Sequence, residues 1–303
     1  MPLSRREFLV TSTLVSGSLL VPDALAIQPT ATTPLTVGNV LDRIKGNVGV
    51  PWHTPTVDNL LSATPDTLVQ GVATTMMATF DVCKRAQAQG CNLIITHETP
   101  FYLHQDRIDD IRDNAVLKAK QAWLAKHNVA LFHFHDHLHA MHPDGVAKGM
   151  NQQLGWESYV TSADMKHLDF KGMPLEKLAE EMAAKLHAQT IRVVGDPTLP
   201  VHGVQTSWGY CSREGGIPIM ANPDIDVLIC GETREWELVE YAQDAVSVGQ
   251  KKGLIVVGHV LSEQGGAIFA AQWLKQFVTE VPVVFVPAAE PFWLPDRPRG
   301  LGA

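Results

Sequence analysis

Histidine and carboxylate side chains stand close together at three places in this chain of 303 residues. His97 and Glu98 are adjacent, residues 135–139 contain three histidines and an aspartate, and His259 precedes Glu263 by four residues. Imidazole and carboxylate together suit zinc, iron, manganese or nickel, whereas calcium and magnesium prefer sites built from oxygen atoms. The three groups therefore predict a site for divalent transition-metal ions.

Each group follows an apolar segment with the pattern of a buried strand. These segments are residues 91–95, 129–134 and 253–257. Ligands of α/β proteins bind beyond the carboxyl ends of strands, which is where the three groups would meet. If a helix begins near His259, its side chain and that of Glu263 face the same way. The alternative for residues 133–142 is a solvated, histidine-rich loop that binds metal adventitiously, but ligand-type residues at all three strand ends argue against it.

The rest of the chain alternates strands and helices in the same way. Further strands are expected at residues 68–75, 191–194, 227–230 and 283–286. Helices are expected at residues 37–45, 79–89, 114–127, 145–154, 175–187, 235–246 and 262–278, the last of them capped by Ser262. This alternation predicts an α/β fold with helices on the sheet faces. A weak similarity between residues 68–100 and 226–262 favours two lobes, at 37–160 and 161–303.

Residues 1–26 have the pattern of an export signal. Ser4-Arg5-Arg6-Glu7-Phe8-Leu9 is a twin-arginine motif, an apolar run continues to Val21, and Ala24-Leu25-Ala26 is a small-x-small cleavage pattern. The run is short and rich in Ser, Thr and Gly, so a membrane anchor is the weaker alternative. We therefore expect a twin-arginine signal peptide, a linker over residues 27–36 and a periplasmic protein without membrane contact once the signal is removed.

Composition excludes two classes of partner. The formal net charge is −8, which argues against a nucleic-acid-binding protein and against docking on anionic lipid. Apolar residues make up 45% of the chain, enough to form a sizeable core. The four cysteines show no CxxC spacing and are expected to be buried free thiols rather than disulfides or zinc ligands.

Taken in order, the motifs resemble those of the NIF-three-like family, whose members are also called dinuclear metal-centre hexameric proteins or GTP cyclohydrolase I type 2 homologues. Residues 93–100 are similar to that family's apolar strand ending in Thr-His-His-x-Pro. Residues 135–146 are similar to its His-Thr-Asn-Leu-Asp segment with the Gly-Gly-Val and helix that follow, and residues 258–263 to its Gly-His-x-x-x-Glu. Residues 230–232 occupy the position of its Thr-Gly-Asp or Thr-Gly-Glu turn. Order and spacing agree over residues 36–290.

The resemblance implies two divalent ions and a set of five ligands. The matching residues here are His97, Glu98, His139, His259 and Glu263. Glu98 replaces a histidine of the family and His139 replaces its aspartate, so three imidazoles and two carboxylates are retained. A decayed site would not be expected to exchange ligands in this compensating way. Met77 stands where the family's first strand usually has an aspartate, and we expect no role for it.

Roles follow from charge and position. Glu263, a carboxylate at a helix start, is expected to bridge the two ions, and Glu98 to bind one of them. A water or hydroxide between the ions would have its pKa lowered towards ~7 and become a nucleophile. Four residues are expected to support the ligands or transfer protons, with plain loop residues as the alternative: His135, Asp136, His137 and Glu232.

Two functions are compatible with these residues. The first is a metal-dependent hydrolase that acts on a small amide, cyclic amide or phosphoester. The second is a non-catalytic metal-binding or assembly protein. The resemblance implies a two-lobed α/β fold with mixed sheets, a metal site at strand ends between the lobes, and a ring-shaped homohexamer. The GTP cyclohydrolase label comes from the family alone, since Glu214-Gly215-Gly216 is too short for a phosphate-binding P-loop.

Overall fold

The computed structural model describes residues 34–295, which form two β-sheets flanked by helices. The strands are β1 (Val72–Met77), β2 (Leu93–Glu98), β3 (Ala130–His133), β4 (His167–Pro174), β5 (Arg192–Val194), β6 (Pro200–Tyr210), β7 (Val227–Glu232), β8 (Gly253–Val256) and β9 (Val283–Phe285). The helices are α1 (Val37–Asn47), α2 (Phe80–Ala88), α3 (Ala115–Lys126), α4 (Asp136–Ala140), α5 (Gly145–Leu154), α6 (Leu175–Leu186), α7 (Arg213–Ala221), α8 (Glu240–Ser247) and α9 (His259–Leu274). A 3₁₀ turn at Glu157–Tyr159 and a π-helix at Glu235–Val239 complete the set.

The first sheet has the order β3-β2-β1-β9, and every neighbouring pair is parallel. Apart from its last residue, each of β1 and β2 is fully buried, as expected for parallel strands covered on both faces. Thr96 of β2 pairs with His133 of β3. The last two residues of β2, His97 and Glu98, therefore lie beside the start of α4, which follows β3.

The second sheet is mixed, with the order β4-β6-β7-β8-β5. Its three central strands are parallel, and the two edge strands β4 and β5 run antiparallel to their neighbours. Strands β4 and β6 were not expected from the sequence. In β6 buried and exposed residues alternate around two glycines, so it lacks the continuous apolar run that marked the other strands.

Helix α9 is the central helix of the molecule. Twelve of its sixteen residues are buried, and it packs against α5 and against strands of both sheets. It approaches α5 very closely, because a Cβ atom on Gly149 would lie 2.1 Å from the carbonyl oxygen of Gly265. The predicted start at Ser262 is wrong: the helix begins at His259, with Gly258 at the N-cap position and φ +99. His259 and Glu263 consequently occupy its first two turns.

The predicted α/β class with mixed sheets flanked by helices is confirmed. The lobe boundaries at 37–160 and 161–303 remain a prediction; strand β9, near the end of the chain, pairs with β1 of the first sheet.

The predicted signal peptide and residues 27–33 of the predicted linker lie outside the described residues. Between residues 34 and 295, no helix is long and apolar enough to cross a membrane. All four cysteines are free and buried, as expected.

Candidate metal centre

Glu263 lies at the middle of a cluster of histidines from three elements. Its Oε2 atom is 3.5 Å from His97 Nε2, at the end of β2, and 3.0 Å from His259 Nε2, one turn earlier in α9. Its Oε1 atom is 3.8 Å from His139 Nε2, in α4. The carboxylate is only 2% exposed. Four of the five predicted ligands thus converge, while the role of Glu263 as a bridge between two ions stays a prediction.

Glu98 brings the fifth predicted ligand to the same cluster. Its Oε1 atom is 3.4 Å from His259 Nε2 and 3.8 Å from His135 Nε2. The ring of His259 therefore lies between two carboxylates, those of Glu98 and Glu263. Adjacent residues of a regular strand point to opposite faces. His97 and Glu98 nevertheless reach one cluster, because they occupy the last two positions of β2, where the chain leaves the sheet.

Each of three predicted histidine ligands has its second ring nitrogen next to a fixed acceptor. His97 Nδ1 is 3.4 Å from the carbonyl oxygen of Phe134. His139 Nδ1 is 3.0 Å from Asp144 Oδ2, and His259 Nδ1 is 3.1 Å from Glu232 Oε1. Metal-binding histidines in proteins are commonly oriented in this way, with the distal N–H donated to a carboxylate or carbonyl. In all three residues the Nε2 atom is left facing the cluster.

A short helix positions the predicted ligand that follows β3. Residues 135–139 are not an irregular loop; Asp136–Ala140 is helix α4. The buried Asp58 carboxylate accepts the backbone N–H groups of His135, Asp136 and His137 at 2.7–2.9 Å. These are the free donors of a helix N-terminus, so Asp58 fixes where the helix starts. One turn later, His139 lies over the cluster.

The pKa values of several side chains in the cluster are strongly shifted. Burial opposes ionisation of both Glu98 and Glu263, yet the surrounding histidines hold the pKa of each carboxyl far below its usual range. Burial also opposes protonation of His259, but the carboxylates of Glu232, Glu263 and Glu98 around its ring raise its pKa to about 12. Burial, with nearby His97 and His139, lowers the pKa of His135 to about 3. A site with ionised carboxylates around one imidazole strongly favours a cation.

Two buried atoms of the cluster are left without hydrogen bonds among the described residues, His97 Nε2 and Glu263 Oε2. His259 Nε2 is close to that oxygen, at 3.0 Å, but the contact lacks hydrogen-bond geometry. Buried polar atoms are rarely left unpaired, and a metal ion satisfies both kinds. Ligands about 2.1 Å from a tetrahedral ion are separated from each other by about 3.4 Å. The contacts of 3.0–3.8 Å within the cluster are therefore close to those of a ligand shell, and the donor set fits a divalent transition metal.

The predicted supporting residues divide into two groups. His135 lines the cluster, with its Nδ1 atom 3.0 Å from Asp136 Oδ1, and Glu232 contacts His259. His137 does not join them. Its Nδ1 atom is 2.6 Å from Asp58 Oδ2, and its Nε2 atom accepts the backbone N–H of His53 at 3.0 Å.

His137 is thus fully buried on the far side of α4, with its ring stacked on Trp52. Its environment is that of a residue that holds α4 to the segment 52–58. Met77, at the end of β1, pairs in register with Glu98 and carries no carboxylate.

The sequence did not single out several residues around the cluster. His104 lies with its Nδ1 atom 4.0 Å from Glu98 Oε2. Trp208 and Tyr210, from the unpredicted strand β6, form one wall of the cavity over the cluster. Asp144 could have been found as a helix N-cap residue, since it directly precedes α5. His104 and the β6 aromatics gave no periodic or spacing signal.

A cavity of about 410 Å³ opens onto the cluster. Its lining residues are Glu98, His104, His135, His139, Trp208, Tyr210, His259 and Glu263. A second cavity of about 210 Å³ shares His139 and Trp208 with the first and adds Lys166, Gln205 and Ser207. The cluster is therefore accessible to a small molecule, with aromatic rings on one side and polar groups beyond.

Comparison with known proteins gives one family. The family model described as Duf34/NIF3 (NGG1p interacting factor 3) matches residues 57–291, well over half of the chain. This range includes the cluster and both sheets. No curated protein matches the chain.

Solved structures show the same fold at low sequence identity. A Bacillus cereus protein related to NIF3 has a TM-score of 0.68 and 12% identity, covering 87% of this chain and 100% of its own. Staphylococcus aureus protein SA1388 has a TM-score of 0.66 and 18% identity, with 86% and 100% covered. Reduced HcgD from Methanocaldococcus jannaschii has a TM-score of 0.62 and 14% identity, with 84% and 98% covered. At these identities the similarity establishes the fold alone.

Proposed function

Because this chain belongs to the Duf34/NIF3 family, we propose that it is a dinuclear metal-binding protein that hydrolyses a small amide, cyclic amide or phosphoester. The observation on which this rests is the pair of buried, unpaired atoms His97 Nε2 and Glu263 Oε2, 3.5 Å apart beside an open cavity. A purely structural cluster would satisfy its buried polar atoms internally. Here they face one another where a cation would satisfy both.

The two ions would be held by His97, Glu98, His139, His259 and Glu263. Glu263 would contact both ions, because its two oxygens face different histidines. With two carboxylates and three neutral imidazoles, the set suits zinc, iron, manganese or nickel. When bound, such ions supply Lewis acidity and acidify a coordinated water.

The chain's own residues would complete the reaction. His135 lines the cavity with its Nδ1 atom beside Asp136, so it would act next to the ions, as a further ligand or in proton transfer. Glu232 holds the ring of His259. Trp208 and Tyr210 offer flat apolar surface to a substrate ring or chain.

A non-catalytic metal-binding or assembly protein remains the second proposal. It would be favoured by a metal shell that protein ligands saturate, since catalysis needs an open coordination position. The open cavity over the cluster and five ligands for two ions favour the enzyme.

The test is metal analysis followed by an activity screen with amides, cyclic amides and phosphoesters. The purified protein is stripped with a chelator, reloaded with each candidate metal and assayed. We expect turnover that requires metal and is lost in Glu263→Ala but retained in His202→Ala, an exposed histidine at the opposite end of β6. Two bound ions without turnover on any substrate class would support the assembly protein instead.

Export and assembly are further proposals drawn from the sequence. The twin-arginine motif supports a periplasmic location, where GTP is scarce, so we do not propose GTP as the substrate. A reporter fused to residues 1–30 should be exported, and retention in the cytoplasm would contradict this. The family resemblance supports a homohexamer, which light scattering on the purified protein would test.

A further inference from the structure

We propose that His104 is a metal ligand, supplied by the loop after β2 to the ion that Glu98 binds. This inference rests on the proposed metal binding but adds a residue that the family motifs do not include. The Nδ1 atom of His104 faces Glu98 Oε2 at 4.0 Å. Ligand atoms of Glu98, His104 and His135 all lie within 4.8 Å of one another. Small side-chain rotations would bring these three atoms to the spacing of a coordination shell.

The loop that carries His104 is held rigidly at both ends. The hydroxyl of Thr99 donates to Asp106 Oδ1 at 2.6 Å, and the buried His133 ring donates to Asp106 Oδ2 at 2.5 Å. Lys120, a buried lysine, donates to the carbonyl oxygen of Pro100 at 2.7 Å. Phe101 is buried beneath the loop. His104 therefore lies near Glu98 because of fixed contacts, not as a freely moving surface side chain.

The backbone on either side of His104 is also unusual. Tyr102 has φ +74 and Asp106 has φ +55, values in the left-handed region that residues other than glycine rarely adopt. Such conformations are retained where surrounding contacts over-determine them, and they concentrate at functional sites. The backbone N–H of Asp106 donates to the carbonyl oxygen of Leu103 at 2.7 Å, which closes a turn that contains His104.

The other donors of this set are oriented as ligands. His135 directs Nε2 towards Glu98 Oε1 at 3.8 Å, while its Nδ1 atom is 3.0 Å from Asp136 Oδ1. Glu98 offers one oxygen to the side of His135 and His259 and the other to His104. The cluster thus contains two donor sets: Glu263 with His97 and His139, and Glu98 with His104 and His135, with His259 between them. Two sets with different donors would bind the two ions with different affinities.

The test is metal binding by the full-length protein and its variants, with Co²⁺ as the probe. Stripped wild-type protein, His104→Ala and the control His202→Ala are loaded with Co²⁺, and the bound ions are counted and titrated with a competing chelator. We expect two equivalents in wild type and in the control. In His104→Ala one equivalent should keep its affinity and the other should weaken by about 100-fold or more, beyond the loss typical of an outer residue. The visible Co²⁺ absorption should change in parallel.

Chemical rescue separates a ligand from a residue that only shapes the cavity. In His104→Gly, added imidazole should restore the weak equivalent and its Co²⁺ spectrum, which a structural role would not produce. Two equally tight equivalents in wild type, His104→Ala and His104→Gly would overturn the inference while leaving the proposed function standing. Absence of stoichiometric metal from the wild type would instead defeat the proposed function, and with it this inference.

Discussion

The candidate metal centre has two walls that are built differently. The first wall consists of the end of β2 and helix α4, and its residues are held by hydrogen bonds that they donate to two buried carboxylates, Asp58 and Asp144. The second wall consists of the start of α9 and the ends of β6 and β7, and it is fixed by close contacts with glycines. A Cβ on Gly209 would lie 2.4 Å from Glu263 Oε1, and one on Gly231 would lie 2.2 Å from Ser262 Oγ.

This difference coincides with the places where the sequence departs from the motifs of the family that it resembles. Both ligand exchanges, Glu98 for histidine and His139 for aspartate, lie in the first wall. Polar anchors there can turn a different side chain toward the ions. In the second wall His259 and Glu263 keep the family's residues, since the space around Glu263 leaves no room for a shifted side chain. The second wall thus constrains its side chains by close contacts and the first by polar contacts.

The largest expected effect is loss of both ions in Glu263→Gln. The substitution keeps the shape of the side chain but removes the charge on which the histidines of both walls converge. We expect no stoichiometric metal after reloading, measured by elemental analysis, while Glu98→Gln should retain one equivalent. Retention of both ions by Glu263→Gln would mean that the second wall is not the common support of the site.

The second-largest expected effect tests the close contact between Gly209 and Glu263. Gly209→Ala places a methyl group against the Glu263 carboxylate at a position with φ +76, so metal affinity should fall by about 100-fold or more, the upper end of the loss for a residue that orients a ligand. Gly249→Ala is the matched control, with φ +86 and no atom within 4 Å of the added Cβ. Both variants should lose about 1 kcal/mol or more of stability from the backbone strain, but only the first should lose metal. Equal metal affinity in the two variants would show that the glycine serves the backbone alone.

The ligand exchange in the first wall can be reversed. Glu98→His alone removes one negative charge and should weaken metal binding, by roughly 10- to 100-fold if it behaves like other perturbed ligand shells. Adding His139→Asp returns the charge and should recover much of the affinity. Asp144 lies next to residue 139, but Lys166, 2.9 Å from Asp144, offsets the repulsion between two aspartates. Identical metal content in the single and double variants would contradict the pairing of positions 98 and 139.

How far the sequence predicts this structure also differs between the two walls. The ligands of both walls were found because they follow apolar strands, and α5 was placed at its observed bounds, between Asp144 and Gly155, which have the types of an N-cap and a C-cap. What could not be predicted depends on contacts distant in sequence. His137 shares the spacing of its neighbours, yet Asp58 and Trp52 draw it to the opposite side of α4.

The remaining differences between the predicted and the observed structure also depend on contacts between residues distant in sequence. Ser262 has the residue type of an N-cap, but the helix extends back to His259, and its hydroxyl accepts the backbone N–H of Gly209. Strand β6 has no apolar run because one of its faces is only partly covered. His104 sits in an irregular loop, whose course is set by Asp106 and His133 rather than by local pattern.

The smallest expected effect compares the two anchors of the histidine ligands. Asp144→Asn weakens the support of His139 in the first wall, where the anchor is buried, and Glu232→Gln weakens that of His259, where the anchor is half-exposed. Asparagine can still cap α5, so the first variant should remain folded. We expect a loss of metal affinity of about 10- to 100-fold for Asp144→Asn and less for Glu232→Gln, because water screens an exposed carboxylate and Glu263 holds His259 from the other side. Metal affinity is measured by chelator competition. A larger loss of affinity in Glu232→Gln would mean that the second wall also depends on polar anchors. The two walls would then differ in their ligands and not in the groups that hold those ligands.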